Sequence, residues 1–419
     1  MEQPLNERRQ LLQTKIFAHT SIAGFNSYSQ AVLSRLSRCH TAAIGVHHYR
    51  CNNQGCKHMH YQYHSCGNRH CPCCGGMKRD EWIEDRMGEL LPTTYFHLVF
   101  TLPQELRSLC MGSRKLLFGL LFKSAQHTIL TLSKDEKYIG ATPGIVSILH
   151  TNGQDLNFHP HIHNIVSGGG INAAGRWIKE KRSNGRFLFP RRAMEKIYKG
   201  YFLDQLRKYI ANGTLKYADL KTLENMLFMV AQKKWNVHAN APFGGPAQII
   251  EYLGRYTHKV AITAHRILYI DNSNIIFKYK DYAAANKPAR MTRSDGQKIM
   301  VLTHAEFLSR FEQHILPKGF VKIRHAGYLH AKNKMERIAA VCKQLQLPAP
   351  MQRVHTSVAL RMLLQTGKDI TLCPVCKKGK MELVATFIYH HGCLVDAAQL
   401  RNRGSPKIKS EKVTHEKSA

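Results

Sequence analysis

Long apolar runs are missing from this 419-residue chain. The longest, Leu116–Phe122, has seven residues, whereas a membrane-spanning helix needs about 20, so no spanning segment is expected. Acidic residues are also scarce. Against 61 Lys and Arg stand 28 Asp and Glu, a formal charge of +33 with all 25 histidines neutral. Such a balance favours polyanions, because contacts to a phosphate backbone grow with basic charge and weaken with salt. Nucleic acid is the leading partner, ahead of an anionic membrane surface. No Gly-x-x-x-x-Gly-Lys-Ser/Thr loop occurs, so the chain is not expected to power strand unwinding by that route. Its first residues, Met1 to Arg9, lack the basic-then-apolar order of a secretory signal. The expected compartment is a reducing cytoplasm, where cysteines are read as metal ligands or buried thiols before disulfides.

What is present is concentrated. Seven of the twelve cysteines fall between Cys39 and Cys74, together with seven histidines. Cys51-x4-Cys56 and Cys71-x2-Cys74 are two knuckles, each able to turn two sulfurs towards one ion. Four thiolates at about 2.3 Å close a structural Zn²⁺ site. Cys39, His47, Cys66 and His70 are candidates for a second site or for a place in the first, and spacing alone does not decide the pairing. Cys73 adds a thiol inside the second knuckle. A further half-site, Cys373-Pro-Val-Cys376, precedes an expected strand at Met381–Tyr389.

Between these ends the pattern alternates without a regular βαβ order. Strands are expected at Tyr95–Leu102, Gly144–His150 and Pro160–Ser167, a hairpin at Arg266–Ile270 and Asn274–Lys280, and helices at Leu106–Leu132, Arg192–Asn212 and from Pro246 onward. Thr303 and Glu306 form a capping box for a helix ending near Leu316. The fold class is α+β. The expected domains are a helical and zinc-binding module over 1–90, a central domain over 91–330, a C-terminal region over 331–402 containing the Cys373/Cys376 knuckle, and a disordered basic tail over 403–419.

Two motifs carry chemistry. In His159-Pro-His161-Ile-His163, residues two apart share a face if the segment is a strand, so His161 and His163 can hold a divalent cation together. A third ligand is needed, with Gln154 the tentative choice and His150 and His159 also near. In Pro246 to Lys259, read as a helix, Tyr252 and Tyr256 lie one turn apart, flanked by Arg255 and Lys259. Arg176 to Arg192 packs seven cations with Trp177, Phe187 and Phe189 into 17 residues. There Arg176, Lys179, Lys181 and Arg182 would track phosphates while aromatic rings stack unpaired bases.

Together these features resemble the insertion sequence 91 family of transposases, two-tyrosine members of the HUH endonuclease superfamily. The resemblance rests on Ser65-Cys-Gly-Asn-Arg-His-Cys71-Pro-x-Cys74, His159-Pro-His-Ile-His163 and Tyr252-Leu-Gly-Arg-Tyr256-Thr-His-Lys-Val-Ala-Ile-Thr263. It continues through Phe277-Lys-Tyr-Lys-Asp-Tyr282 and Leu316-Pro-Lys-Gly-Phe-Val-Lys-Ile-Arg-His325. It implies an antiparallel HUH-type sheet flanked by helices, with Mg²⁺ or Mn²⁺ held by His161 and His163 and Tyr252 or Tyr256 as nucleophile. By the same resemblance the chain nicks and rejoins single-stranded DNA through 5′-phosphotyrosine intermediates in rolling-circle transposition, in a bacterial, nucleoid-associated setting. The missing nucleotide loop then leaves unwinding to a host helicase or to replication. The competing readings are a non-catalytic zinc-dependent DNA-binding regulator, an acidic-triad transposase and a zinc hydrolase. None of these needs paired tyrosines.

Overall fold

The computed structural model describes residues 2–74, 76–181, 186–240, 248–249, 254, 261–280, 297–330, 332–350, 356–390 and 393–398. In chain order its strands are β1 (Gly45–Cys51), β2 (Met59–Tyr63), β3 (Tyr95–Thr101), β4 (Thr142–Asn152), β5 (Phe158–Ile171), β6 (Trp177–Lys179), β7 (Val237–Asn240), β8 (Ile267–Ile270), β9 (Asn274–Lys280), β10 (Gln297–Thr303), β11 (Ile323–Gly327), β12 (Met381–His390) and β13 (Cys393–Asp396). They form two compact units. One comprises Met1–Ser34 with Asn68–Arg353, the other Arg35–Gly67 with Val354–Ala419.

The larger unit is built on an antiparallel sheet of order β11-β4-β5-β3-β7, with β6 paired to β5. Both faces are apolar. On one, Phe96, Leu98, Phe100, Ile145, Leu149, Ile162 and Val166 share a core with the helix Arg114–Lys134. That helix buries Leu117, Leu121, Ala125, Thr128 and Leu132, the three-and-four spacing of a core-facing stripe. On the other face Val146, Ile148 and Ile165 cluster with Ile249, Tyr328, Leu329, Ile338 and Val341. At the end of β11, Gly327 has φ +66°, and a Cβ there would lie 1.6 Å from the carbonyl oxygen of Pro143, so only glycine fits. A smaller antiparallel sheet, β10-β9-β8, includes the expected hairpin.

Several expected elements differ in extent. The helix expected at Leu106–Leu132 is broken at Ser113 into Arg107–Gly112 and Arg114–Lys134. The hydroxyl of Thr303 accepts the Glu306 N–H at 3.2 Å, but Glu306 turns to Arg310 instead of back to the cap. That helix stops at Glu312, where tighter three-residue turns take over at His314 and Ile315. Helix Leu220–Gln232, capped by Asp219, was not expected. Of the helix expected from Pro246, Gln248, Ile249 and Gly254 are described and helical. No described helix is long and apolar enough to cross a membrane.

The smaller unit is an antiparallel sheet of order β13-β12-β1-β2. Its composition cuts across the linear division at residue 90, because β1 pairs along its whole length with β12, Gly45 opposite Ile388 and Cys51 opposite Met381. Residues 403–419 lie outside the described residues.

Buried His314 and half-buried His325 are among the histidines that make the fold acid-sensitive. The Thr151 hydroxyl donates to Nδ1 of His314 at 3.1 Å and the Nε2–H of His314 donates to the Leu156 carbonyl at 3.0 Å, so the neutral ring is the one accommodated. Burial holds His314 down to about 4, and burial together with Arg86 and Lys334 does the same to His325. The unfolded chain takes up these protons near pH 6.5 and the native state does not, so stability is full above that pH and falls towards pH 4. We expect each ring to cost about 2 kcal/mol between pH 7 and pH 5. Urea midpoints across that range should fall, and His314→Gln should flatten the slope.

Candidate metal centres and catalytic face

β5 is extended through His161 and His163, and its neighbours supply two more imidazoles on the same face. Register sets His150 of β4 opposite His161. One ring nitrogen from each of His150, His161 and His163 lies within 4.8 Å of the other two. Ring centroids are 4.4 Å apart for His150 and His163 and 4.9 Å for His161 and His163. The fourth imidazole, His97 on β3, is hydrogen-bonded through Nε2 to Nδ1 of His163 at 2.8 Å and stacks on it. Burial lowers the pKa of His97 to about 4, so it serves as a neutral partner. The Nδ1–H of His161 donates to the His159 carbonyl at 2.6 Å, which assigns Nε2 as the nitrogen with a lone pair to give.

Of the other expected ligands, His159 has its ring centroid 5.2 Å from that of His161 but is not one of the three grouped imidazoles. Nδ1 of His159 is 2.5 Å from the Arg107 guanidinium, and burial followed by that cation drives its pKa to about 4. Gln154 sits in the β4–β5 turn, with its carbonyl taking a bond from Arg266. His70 is buried, and burial followed by Arg69 and Lys322 pushes it to about 3.

Tyr252, Arg255, Tyr256 and Lys259 lie outside the described residues, but both flanks of their segment are placed. Ile249 is fully buried in the apolar cluster with Val146, Ile148 and Ile165, on the sheet face that bears the histidines. At the other flank, the Asn152 side chain, at the end of β4, donates to the Ala261 carbonyl at 3.1 Å. Between the tyrosines, a Cβ on Gly254 would come within 2.2 Å of Ile83.

In the smaller unit, Cys51 and Cys56 meet Cys373 and Cys376, all four sulfurs within 4.8 Å of one another. Sulfurs of Cys51 and Cys376 are 3.7 Å apart and those of Cys56 and Cys373 are 3.8 Å apart. A tetrahedron with Zn–S of about 2.3 Å requires S···S of about 3.8 Å, so the donor set fits. The first knuckle is therefore completed by Cys373 and Cys376. Backbone N–H groups, Gly379 first, hold Cys376 down to about 6, while burial pushes Cys51 up to about 12. A Cβ at Gly379 would lie 2.5 Å from the Cys51 sulfur, which explains a glycine there. His47 faces Thr386 at 3.0 Å and packs against His64 with the rings tilted at 55°. Cys39 accepts the Cys66 N–H at 3.3 Å, and Cys71 accepts the Cys73 N–H at 3.4 Å. Cys74 is half-buried.

The basic segment splits by burial. Arg176, Lys179 and Lys181 are exposed and Arg182 lies outside the described residues. Phe189 is core, Trp177 packs on Tyr328, and Phe187 is exposed.

A histidine-faced antiparallel sheet together with a cysteine-built module defines a DNA transposase with a zinc-binding domain, as comparison with known proteins shows. The profile of a family described as "Putative transposase" matches residues 144–337, and that of a "Transposase zinc-binding domain" matches residues 11–102. The chain is 35% identical over 381 residues to "Putative transposase y4qJ" of Sinorhizobium fredii, covering 88% of this chain and 91% of that protein. It is 29% identical over 358 residues to "Transposase for insertion sequence element IS801" of Pseudomonas savastanoi pv. phaseolicola, covering 84% and 83%. No solved structure matches. The chain belongs to the insertion sequence 91 family of transposases.

Proposed function

We propose that the chain cuts and rejoins single-stranded DNA in rolling-circle transposition, with Tyr252 and Tyr256 as nucleophiles and His150, His161 and His163 as ligands of Mg²⁺ or Mn²⁺. The observation that carries this reading is the convergence of three imidazoles within 4.8 Å on the sheet face whose apolar cluster also takes in Ile249. Tyr252 and Tyr256 follow Ile249 by three and seven residues, a spacing that would put them on its side if the segment is a helix, and the chain is tied back to β4 at Ala261.

A divalent ion held there would polarise the scissile phosphate and offset its charge. The histidines themselves fix that position, His161 through its bond to the His159 carbonyl and His163 through His97. A phenol, ordinarily ionised near pH 10, attacks phosphorus. The new O–P bond replaces the bond to the 3′ oxygen, which leaves as a hydroxyl, and the phenolic proton passes to solvent. The 5′-phosphotyrosine keeps the phosphodiester energy, so a 3′-OH can reverse the step without a nucleotide cofactor. A second tyrosine allows one strand to be held while another is cut. Arg255 and Lys259, with exposed Arg176, Lys179 and Lys181, supply phosphate contacts, and strand separation falls to a host helicase or to replication.

Structural Zn²⁺ occupies the Cys51/Cys56/Cys373/Cys376 tetrahedron in this reading. Cys39, Cys66, Cys71 and Cys74 are four further thiols, the number another such ion takes.

The test is a denaturing gel of protein incubated with labelled single-stranded DNA and Mn²⁺. The wild type is expected to give an adduct that survives denaturant, and Tyr252→Phe with Tyr256→Phe is expected to give none. Nicking and adduct retained by the double variant would remove Tyr252 and Tyr256 from the chemistry, whereas a wild type that gives neither would leave only the zinc-dependent binding role.

A further inference from the structure

One surface feature with no assigned role is the edge strand of the smaller unit. All five residues of β2 are exposed. Alternation sets Met59, Tyr61 and Tyr63 on one face, where they are 52%, 53% and 47% exposed. Register with β1 adds Arg50, His48 and Val46 beside them. The His48 ring lies nearly parallel to Tyr61, with centroids 4.7 Å apart and planes at 15°, which holds the phenol upright and leaves its far side to solvent. Three large apolar side chains in a row on a strand that pairs, among the described strands, with β1 alone are a liability that folded proteins normally blunt. Here they are kept.

Charge indicates what covers them. Residues 35–67 contain Arg35, Arg38, Arg50, Lys57 and six histidines but no Asp or Glu. The carboxylates of this sheet are Glu382 on β12, which lies opposite Arg50 with β1 between it and β2, and Asp396 on β13; β2 itself carries none. We propose that this face is a platform for the unpaired bases of single-stranded DNA. Bases stack on Tyr61 and Tyr63, whose Cβ atoms start about 6.8 Å apart on a strand, the rise of two stacked bases at about 3.4 Å each. Arg50 and Lys57 meet the phosphates. A duplex hides its base faces, so the platform selects separated strands. The proposal rests on the reading of the chain as a single-strand transposase, but it requires neither the histidine centre nor Tyr252 and Tyr256.

The full-length chain is titrated, without divalent cation, into fluorescently labelled oligothymidylate, an abasic strand of equal length and a duplex, with fluorescence anisotropy as the readout. Tyr61→Ala with Tyr63→Ala should weaken oligothymidylate binding at least about tenfold. The Tyr→Phe pair should bind like the wild type. Affinity for the abasic strand and the salt slope should not move, because no phosphate contact is lost. Zinc content and melting temperature of both variants report folding. Equal losses on the abasic strand, or no loss on oligothymidylate, overturn the platform. So does a wild-type dimer that the alanine pair dissociates while keeping its DNA affinity, since β2 would then pair with a second copy. A wild type that forms no adduct but shows the tyrosine-dependent binding sinks only the catalytic reading. A wild type that forms the adduct while the alanine pair binds normally sinks only the platform.

Discussion

Alanine at His163 is expected to abolish cation-dependent nicking, by about 10³-fold or more, while leaving single-strand binding intact. The magnitude follows from geometry. His163 is buried and is central to the cluster, its ring within 5.0 Å of those of His97, His150 and His161. Removing it takes away one of three nitrogens and the residue through which His97 acts. Stabilisation of transition-state charge by a bound divalent ion is worth several kcal/mol, and each 1.36 kcal/mol is about tenfold in rate. His97→Gln should be milder, about 10- to 100-fold in metal affinity, because it disturbs only the orientation of the ligand ring. Mn²⁺ titration by calorimetry separates the two variants, with no binding to His163→Ala and weakened binding to His97→Gln. Wild-type nicking by His163→Ala would remove these histidines from the chemistry.

Of that cluster, His161 and His163 could be read from sequence, His150 was one of three open candidates for the third ligand, and His97 could not be read, for one reason. Strand alternation has a period of two, so the shared face of His161 and His163 is written in five consecutive residues. The contribution of His150 depends on the β4–β5 register, and that of His97 on β3 lying against β5 with Val99 opposite His163. Nothing local in Tyr95–Thr101 signals this, and His97 was missed. The cysteines repeat the lesson over a longer distance. Each knuckle is local, but the partner of Cys51 is Cys376, 325 residues away, and spacing in sequence left that pairing undecided. Aromatics near cations were a poorer guide, since Phe189 went to the core and Trp177 to a packing contact with Tyr328. Composition could not separate a ring that stacks bases from one that fills a core.

Serine at Cys376 is expected to release one zinc per chain and to unfold the β13-β12-β1-β2 sheet while the larger sheet stays folded. Among the described residues of this unit, Leu36 and Val46 are the buried apolar side chains apart from cysteines, far too few to offset the conformational entropy of ordering its strands. Beside the β1–β12 ladder, the tetrahedron is therefore the main tie among the described residues between residues 51–56 and 373–376, and small modules of this kind are unfolded without their metal. Three thiolates leave one coordination position to water and one strand free. β1 loses its register with β12, and the edge carrying Tyr61 and Tyr63 loses its support. Hydrogen exchange should then show amides of β1 and β12 unprotected and those of β4 and β5 unchanged. Zinc analysis should show one ion fewer than in Cys342→Ser, a buried thiol outside both cysteine groups. Full zinc content with β1 still protected would mean that the four sulfurs, though 3.7–3.8 Å apart in pairs, hold no ion.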